Sequence, residues 1–268
     1  MATKKKSASK STALVPWTER FAKYAQQTTE QVKNIGGSSL SVSFGRGSIT
    51  IGDAKVPGGR LECVILGSCA LNRFYKKDWD PNDKQPPDCY AFALVSDDPE
   101  MRPHPQASDK QSEDCASCPQ NVFGSAKTGR GKACANTIRL GLITAKDAED
   151  ADSAAAAELA TAGVSPTNRA HYAAYAKALL EDHGRPPWSV VTEISSYDDP
   201  KTQIRLEFKM VETIDDDDVL KALEKRFLSI QDKLQTPYAA PVDRKAANAK
   251  GEKAVAASRK FVGGKGRK

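Results

Sequence analysis

Two cysteines separated by two residues, Cys115 and Cys118, are the first candidates for chemistry in this chain. A C-x2-C turn places two sulfur atoms on one side of the backbone, within reach of a single metal ion. Cys89 precedes the pair with 25 residues between, and Cys134 follows it with 15 residues between. Four thiolates complete a tetrahedral site with no open position for water. The spacing therefore predicts a structural Zn²⁺ ion held by these four residues.

Two other interpretations of the cysteines stay open at this point. They could be ordinary reduced thiols, with Cys115 and Cys118 paired by chance. The pair could also be a redox motif, but such a motif opens a helix after a strand, whereas a proline and a polar loop follow here. His104, in the same loop, is a substitute ligand. Cys63 and Cys69 lie in an apolar stretch and are predicted to be core thiols rather than ligands.

The predicted zinc loop, residues 78–134, contains seven prolines and three glycines and few residues that could build a core. Loops of this length in a compact domain are usually functional or are held by something other than a core. A structural zinc ion contributes folding free energy directly, so it would supply the missing stability.

Aromatic and cationic residues alternate where the apolar stretch 60–75 meets this loop. Such a mixture suits unpaired bases, which stack on aromatic rings while cations meet the phosphates. The alternative is that Phe74 and Trp79 are partly buried at the root of the loop. The residues predicted to contact a single strand are Arg73, Tyr75, Lys76, Lys77, Trp79, Tyr90, Arg130 and Lys132.

Charge is unevenly distributed along the 268 residues, whose formal net charge is +6. Residues 1–10 carry four lysines and no acid, and residues 243–268 carry nine Lys or Arg against two acids. The two ends are therefore basic and the body between them is mildly acidic. Basic segments of this composition build no core and typically contact phosphates. Solubilising disorder is the alternative interpretation.

Several protein classes fit the sequence poorly. No apolar run approaches the roughly 20 residues of a membrane helix, so no membrane partner is expected. The basic start lacks the apolar stretch of a signal peptide, and six cysteines without such a signal indicate a reducing compartment. His104, His171 and His183 form no pattern with a nucleophile or a carboxylate pair, so no enzyme is predicted.

The four acids at 215–218 are expected to open a helix rather than to bind metal.

The order of the predicted elements indicates a mostly β, α+β fold, in which helices are added to an antiparallel sheet. Strands, one long loop, a helix and a closing hairpin at 188–211 do not fit repeated βαβ units. They fit an OB-fold-like antiparallel barrel with a long zinc-bearing loop. The predicted organisation is a basic disordered arm (1–15), an N-terminal helix (16–37), the OB-like domain (38–215), a C-terminal helix (216–240) and a basic disordered tail (241–268).

Several motifs resemble a family of tailed-bacteriophage proteins described as single-stranded DNA-binding proteins or left uncharacterised. The resemblance covers about residues 60–215. The motifs are WDPN at 79–82, QPPDCY at 85–90, CASCPQN at 115–121, GKAC at 131–134 and PPWSVVTEI at 186–194.

This resemblance implies a non-enzymatic OB-fold protein that coats single-stranded DNA during phage replication or recombination, in the host cytoplasm. It also implies that the four cysteines bind zinc, and that phage replication or recombination proteins are partners. Such proteins commonly end in an acidic tail that recruits partners, whereas this chain ends in a basic one. Two alternatives follow: a zinc-containing transcription or recombination accessory factor that binds a polymerase, or a structural component of a nucleoprotein assembly.

Overall fold

The computed structural model describes residues 40–78, 80 and 85–238. The predicted arm (1–15), N-terminal helix (16–37) and basic tail (241–268) lie outside the described residues, and so does Trp79. The strands are β1 (Leu40–Gly45), β2 (Ser48–Ile51), β3 (Ala54–Lys55), β4 (Arg60–Phe74), β5 (Cys89–Ala93), β6 (Ala135–Thr144), β7 (Ala160–Val164), β8 (Val190–Asp199) and β9 (Gln203–Thr213). The α-helices are α1 (Ala151–Ala156), α2 (Arg169–His183) and α3 (Asp217–Leu234).

The nine strands form one sheet in the order β3-β2-β1-β7-β6-β4-β8-β9, with β5 paired to the last residues of β4. All neighbours are antiparallel except β1 and β7. The predicted mostly β, α+β class is confirmed, as is the β8–β9 hairpin. In the described part of the chain, no pairing joins β3 to β9. The sheet is thus open, where a barrel requires closure.

Strand β4 is the longest strand, and its odd-numbered residues point to one side of the sheet before a bulge and to the other side after it. Its register against β6 shifts between Ile65 and Gly67, where one extra residue is inserted. Because side chains alternate along a strand, one extra residue moves every later side chain to the opposite face. Cys63 consequently lies in one core and Cys69 in another. Both are buried core thiols as predicted, although the sequence pattern placed them on the same face.

Helix α3 packs closely against the centre of the sheet. It crosses Gly67 and Gly141, which are partners in the β4–β6 register. A Cβ atom on either glycine would lie 2.7 Å from a side-chain carbon of Ile230. Any larger residue at either position would force the Ile230 side chain to move. Together with α1, the helix covers a core that includes Val64, Leu66, Ile143, Leu223 and Leu234.

Helix α2 covers the other core. The 3–4 spacing of Tyr172, Tyr175, Leu179 and Leu180 predicts one buried stripe. The first three are buried, whereas Leu180 is 66% exposed. A glycine at 184 predicts the end of this helix, which indeed ends at His183, and the φ of Gly184 is left-handed at 63°.

Two further sequence predictions can be compared with the fold. The Asp216 carboxylate accepts from the N–H groups of Asp218 and Val219, so these acids cap α3 as predicted. The Ala- and acid-rich composition of residues 145–163 predicts a surface linker with some helix. This segment contains α1 but also most of β7, an inner strand. No helix in the described residues is long and apolar enough to cross a membrane.

Candidate metal centre and nucleic-acid interface

Three neighbouring strands bring the outer two predicted zinc ligands together. Cys89 is the first residue of β5 and pairs with Phe74 at the end of β4. Cys134 directly precedes β6, whose first residue, Ala135, pairs with Arg73. The two thiols therefore lie on either side of the end of β4, where they form a buried cluster with Phe74.

Short-range hydrogen bonds hold the C-x2-C turn in place. The Asp114 carboxylate accepts from the backbone N–H and the hydroxyl of Ser117, at 2.6 and 2.9 Å. The Asn121 side chain donates to the Cys115 carbonyl at 2.7 Å. The Cys134 N–H donates to the Gln120 carbonyl at 2.8 Å, which ties the turn to the root of β6.

All four predicted ligands line one cavity of about 10 Å³. This is about the space of one water molecule. Each of the four cysteines is no more than 9% exposed. The spacing in the sequence thus corresponds to a real cluster in space.

Burial, with a smaller contribution from the neighbouring thiols, raises the pKa of the Cys115 thiol to about 11 and that of Cys134 to about 12. Burial likewise raises the pKa of Cys89. The backbone N–H of Gln111 donates to the Cys89 sulfur, and that of Arg73 donates to the Cys134 sulfur. These two hydrogen bonds lower the pKa values of the two thiols. A cation in the cavity would offset the cost of ionising these thiols.

The arrangement is nevertheless not that of a formed metal centre. Within residues 40–78, 80 and 85–238, no three His, Cys, Asp or Glu side chains are positioned so that they could hold an ion as they stand. The four thiols share a cavity without converging on one point, so an ion would have to draw them together. The donor set, four buried sulfurs with no other ligand required, fits zinc.

His104 does not line the cysteine cavity. Its ring stacks on Tyr90, with centroids 5.1 Å apart. The Tyr90 hydroxyl and the Gln106 N–H both lie within hydrogen-bond distance of His104 Nδ1, at 3.2 and 3.1 Å. His104 was predicted as a substitute metal ligand, but in the structure it packs against Tyr90 instead.

The residues predicted to contact nucleic acid differ in their exposure to solvent. Tyr75, Lys76 and Lys77 are exposed after the end of β4, and Lys76 is ion-paired with Asp109. Tyr90 is only 2% exposed, which is a correction to its expected role as an exposed stacking ring.

The remaining predicted contacts lie on the loop before β6. Arg130 is exposed. Lys132 donates to the Asn121 side chain at 3.2 Å, and its ammonium lies 5.2 Å from the centroid of the Phe123 ring.

A groove of about 730 Å³ lies beside the end of helix α3. Its charged lining residues are Arg73 and Arg139, and none of its lining residues in the described part is acidic. Other lining residues are Ser41, Ser43, Phe44, Thr161, Ser165, Thr167, Asn168, Thr202 and Tyr238. An anion would therefore meet guanidinium and hydroxyl groups without repulsion from a carboxylate.

The two arginines of the groove are not equivalent. Arg139 donates to the carbonyls of Leu234 and Thr236, at 2.8 and 3.3 Å. Its guanidinium lies 4.9 Å from the ring centroid of Phe92 and 5.1 Å from that of Tyr238. Arg73 Nε is buried, and no described group accepts a hydrogen bond from it.

Sequence reasoning found Arg73 but missed Arg139 and Tyr238. Arg139 lies in an alternating strand, where a single cation gives no signal. The Tyr238 ring contacts the Arg139 guanidinium because the chain after α3 returns to the sheet.

The chain was also compared with known proteins. It matches no family model, no curated protein sequence and no solved structure. The resemblance to the phage family therefore remains a prediction from the sequence motifs.

Proposed function

We propose that this protein binds single-stranded DNA in the groove beside helix α3, and that a structural zinc ion holds the adjoining loop. The observation that carries the proposal is the lining of the groove, which has two guanidiniums and no carboxylate among the described residues. Phosphate contacts by cations supply most of the affinity in such complexes. The proposed function involves no catalysis.

Arg73 is the proposed phosphate contact. Leaving a buried donor unpaired costs about 1–3 kcal/mol, and Nε of Arg73 is such a donor. A phosphate oxygen would satisfy it through a charge-assisted hydrogen bond. Arg139 already bonds to carbonyl groups, so in this proposal it contributes mainly positive potential.

Tyr238 and Phe44 supply aromatic rings in the same groove. Base stacking on such rings tolerates any sequence, because every base has a π face. The open sheet would then bind the DNA strand on its surface, where an OB-fold uses a barrel. The resemblance supports a role in phage replication or recombination in the host cytoplasm, alongside other phage proteins.

Zinc has a supporting role in this proposal. Cys89, Cys115, Cys118 and Cys134 would turn towards one ion, which supplies four metal–sulfur bonds when bound. The cluster lies at the end of β4, next to Arg73 and Tyr75. Zinc would therefore fix the root of the loop at one border of the groove.

The test is the affinity of the full-length protein for fluorescent oligo-dT and for a matching duplex, over a series of salt concentrations, with zinc quantified. We expect a preference for the single strand. Arg73→Gln should weaken binding about tenfold and reduce the salt slope by about 0.7. Lys177→Gln is the matched control, since this exposed lysine lies on α2, outside the groove, and pairs with Glu181.

Two outcomes would count against the proposal. Unchanged affinity and salt slope in Arg73→Gln would remove the groove from the interface. Equal, weak binding of single strand and duplex would assign DNA contact to the basic ends and favour an accessory factor that binds a protein.

A further inference from the structure

The end of the zinc loop presents an apolar pair to solvent. Val122 and Phe123 are 56% and 77% exposed, and no other large apolar side chain in the described residues is as exposed as Phe123. They follow the 3-10 turn Pro119–Asn121, which begins directly after Cys118. The cysteine cluster thus determines where this aromatic ring is displayed.

The exposure of Phe123 is held by backbone hydrogen bonds. Gly124 donates to the carbonyl of Gly131 at 2.9 Å, and its φ of 90° allows the chain to reverse there. The Ser125 hydroxyl lies within hydrogen-bond distance of the Val122 carbonyl, at 2.6 Å. These bonds fix the backbone on both sides of Phe123, at a position where its ring is exposed.

The charge around the ring favours one kind of partner. Residues 119–134 include Lys127, Arg130 and Lys132 but no acid. The Lys132 ammonium lies 5.2 Å from the ring centroid of Phe123, and Asn121 holds it there. An exposed ring with an ammonium beside it matches the chemistry of an unpaired base and its phosphate.

The loop is also connected to the border of the groove. The Lys127 ammonium donates to the carbonyl of Lys76 at 3.2 Å and pairs with Asp78 at 2.9 Å. Lys76 directly follows Tyr75, whose hydroxyl is hydrogen-bonded to the side chain of Arg73 in the groove. Cationic and aromatic side chains therefore continue from the groove towards the ring, and Lys76 and Lys127 are each paired there with a carboxylate, of Asp109 and Asp78.

We propose that Phe123 is a second base-stacking position for the strand that occupies the groove, with Lys132 on the adjacent phosphate. This inference rests on the proposed function, because it assigns Phe123 to the same bound strand. A short oligonucleotide would fill the groove alone, and a longer one would also reach Phe123. The zinc loop would then determine the number of nucleotides covered.

The experiment measures the affinity of full-length variants for oligo-dT of about 4 and about 16 nucleotides, the limits for comparable single-strand sites. We expect Phe123→Ala to weaken binding of the longer oligonucleotide about tenfold and to leave the shorter one unchanged. Phe123→Trp should retain full affinity, whereas Phe123→Leu should behave like Phe123→Ala because leucine has no π face. Leu180→Ala, which removes another exposed apolar side chain, is the control.

Each outcome decides a separate point. If Phe123→Ala binds the longer oligonucleotide as tightly as the wild type, the stacking position is overturned and the ring is left for a protein partner. If Phe123→Leu retains affinity, the contact is apolar rather than stacking, which also overturns the proposal. If the wild type prefers neither oligonucleotide over duplex, the proposed function itself fails, whatever the Phe123 variants do.

Discussion

The sheet and the zinc loop are stabilised in different ways. In the sheet, aliphatic side chains such as Leu140, Leu142 and Ile194 are completely buried between strands and helices. Residues 94–134, all of which the structure describes, contain a single 3-10 turn as regular structure. Individual hydrogen bonds hold this loop, for example from Cys115 N–H to the Met101 carbonyl at 2.9 Å.

This difference indicates which interactions stabilise each region, and so which substitutions should destabilise it. Burial of apolar surface is additive over many contacts and stabilises the whole sheet cooperatively. A loop with few apolar contacts opens at lower free energy than the core. The proposed metal would raise that opening free energy, but only for the segment it clamps.

The largest effect is expected from a core substitution. Leu142→Ala should lower the free energy of unfolding by about 2–5 kcal/mol, because it leaves a cavity between rigid strands. Urea unfolding followed by circular dichroism measures this loss. Leu180→Ala, at an exposed position of α2, should stay within about 0.5 kcal/mol of the wild type. An equally small effect of both variants would contradict the assignment of stability to the sheet.

An intermediate effect is expected from metal removal. Cys118→Ser, or treatment with a chelator, should release zinc and expose residues 94–134 to a protease. The free energy of unfolding of the sheet should change by less than about 1 kcal/mol, because the opening is local. Mass spectrometry of the cleavage products and urea unfolding of the same samples measure both quantities.

Cys63→Ala is the control for metal removal, since this thiol lies in the sheet core and should not affect zinc content. Simultaneous loss of the loop and the sheet in Cys118→Ser would show that the two regions form one cooperative unit.

The smallest effect is expected from protonation of His104. Burial, and then the charge of Lys110, lowers the pKa of His104. Protonating Nδ1 would also remove the acceptor that Tyr90 and Gln106 share. The folded loop therefore takes up this proton less readily than the unfolded chain. The stabilisation is complete above the ordinary pKa of about 6.5 and is lost as the pH falls below it.

Hydrogen exchange of the amides near residue 104 measures this effect between about pH 7 and pH 5. Protection should fall with pH in the wild type, whereas His104→Gln should remove that pH dependence. His183→Gln, a change at the end of α2, serves as the control. A pH dependence that persists in His104→Gln would assign the titration to another group.

Local signals in the sequence predicted the parts of the fold that depend on neighbouring residues. The cap at Asp216 and the stop at Gly184 were recognised because their chemistry acts within one turn. Strand β7 was missed because three of its five residues are Ala or Gly, which give little strand signal. The bulge in β4 and the open sheet depend on pairing between distant segments, which no local pattern encodes.

The same division applies to the candidate site. The spacing of the cysteines was enough to group Cys115 and Cys118 with Cys89 and Cys134, although metal binding itself remains a prediction. Arg139 and Tyr238 are almost one hundred residues apart in the chain, so only the fold brings them together.

Arg139 has a consequence beyond electrostatics, because one guanidinium serves two structures. It lines the groove, and it also closes the last turn of α3 through the carbonyls of Leu234 and Thr236. By thermodynamic linkage, a ligand that alters these hydrogen bonds must alter the fraying of that turn, and fraying must alter ligand affinity to the same extent. The end of α3 would therefore act as a built-in reporter of occupancy, which spectroscopy could follow without a label on the nucleic acid.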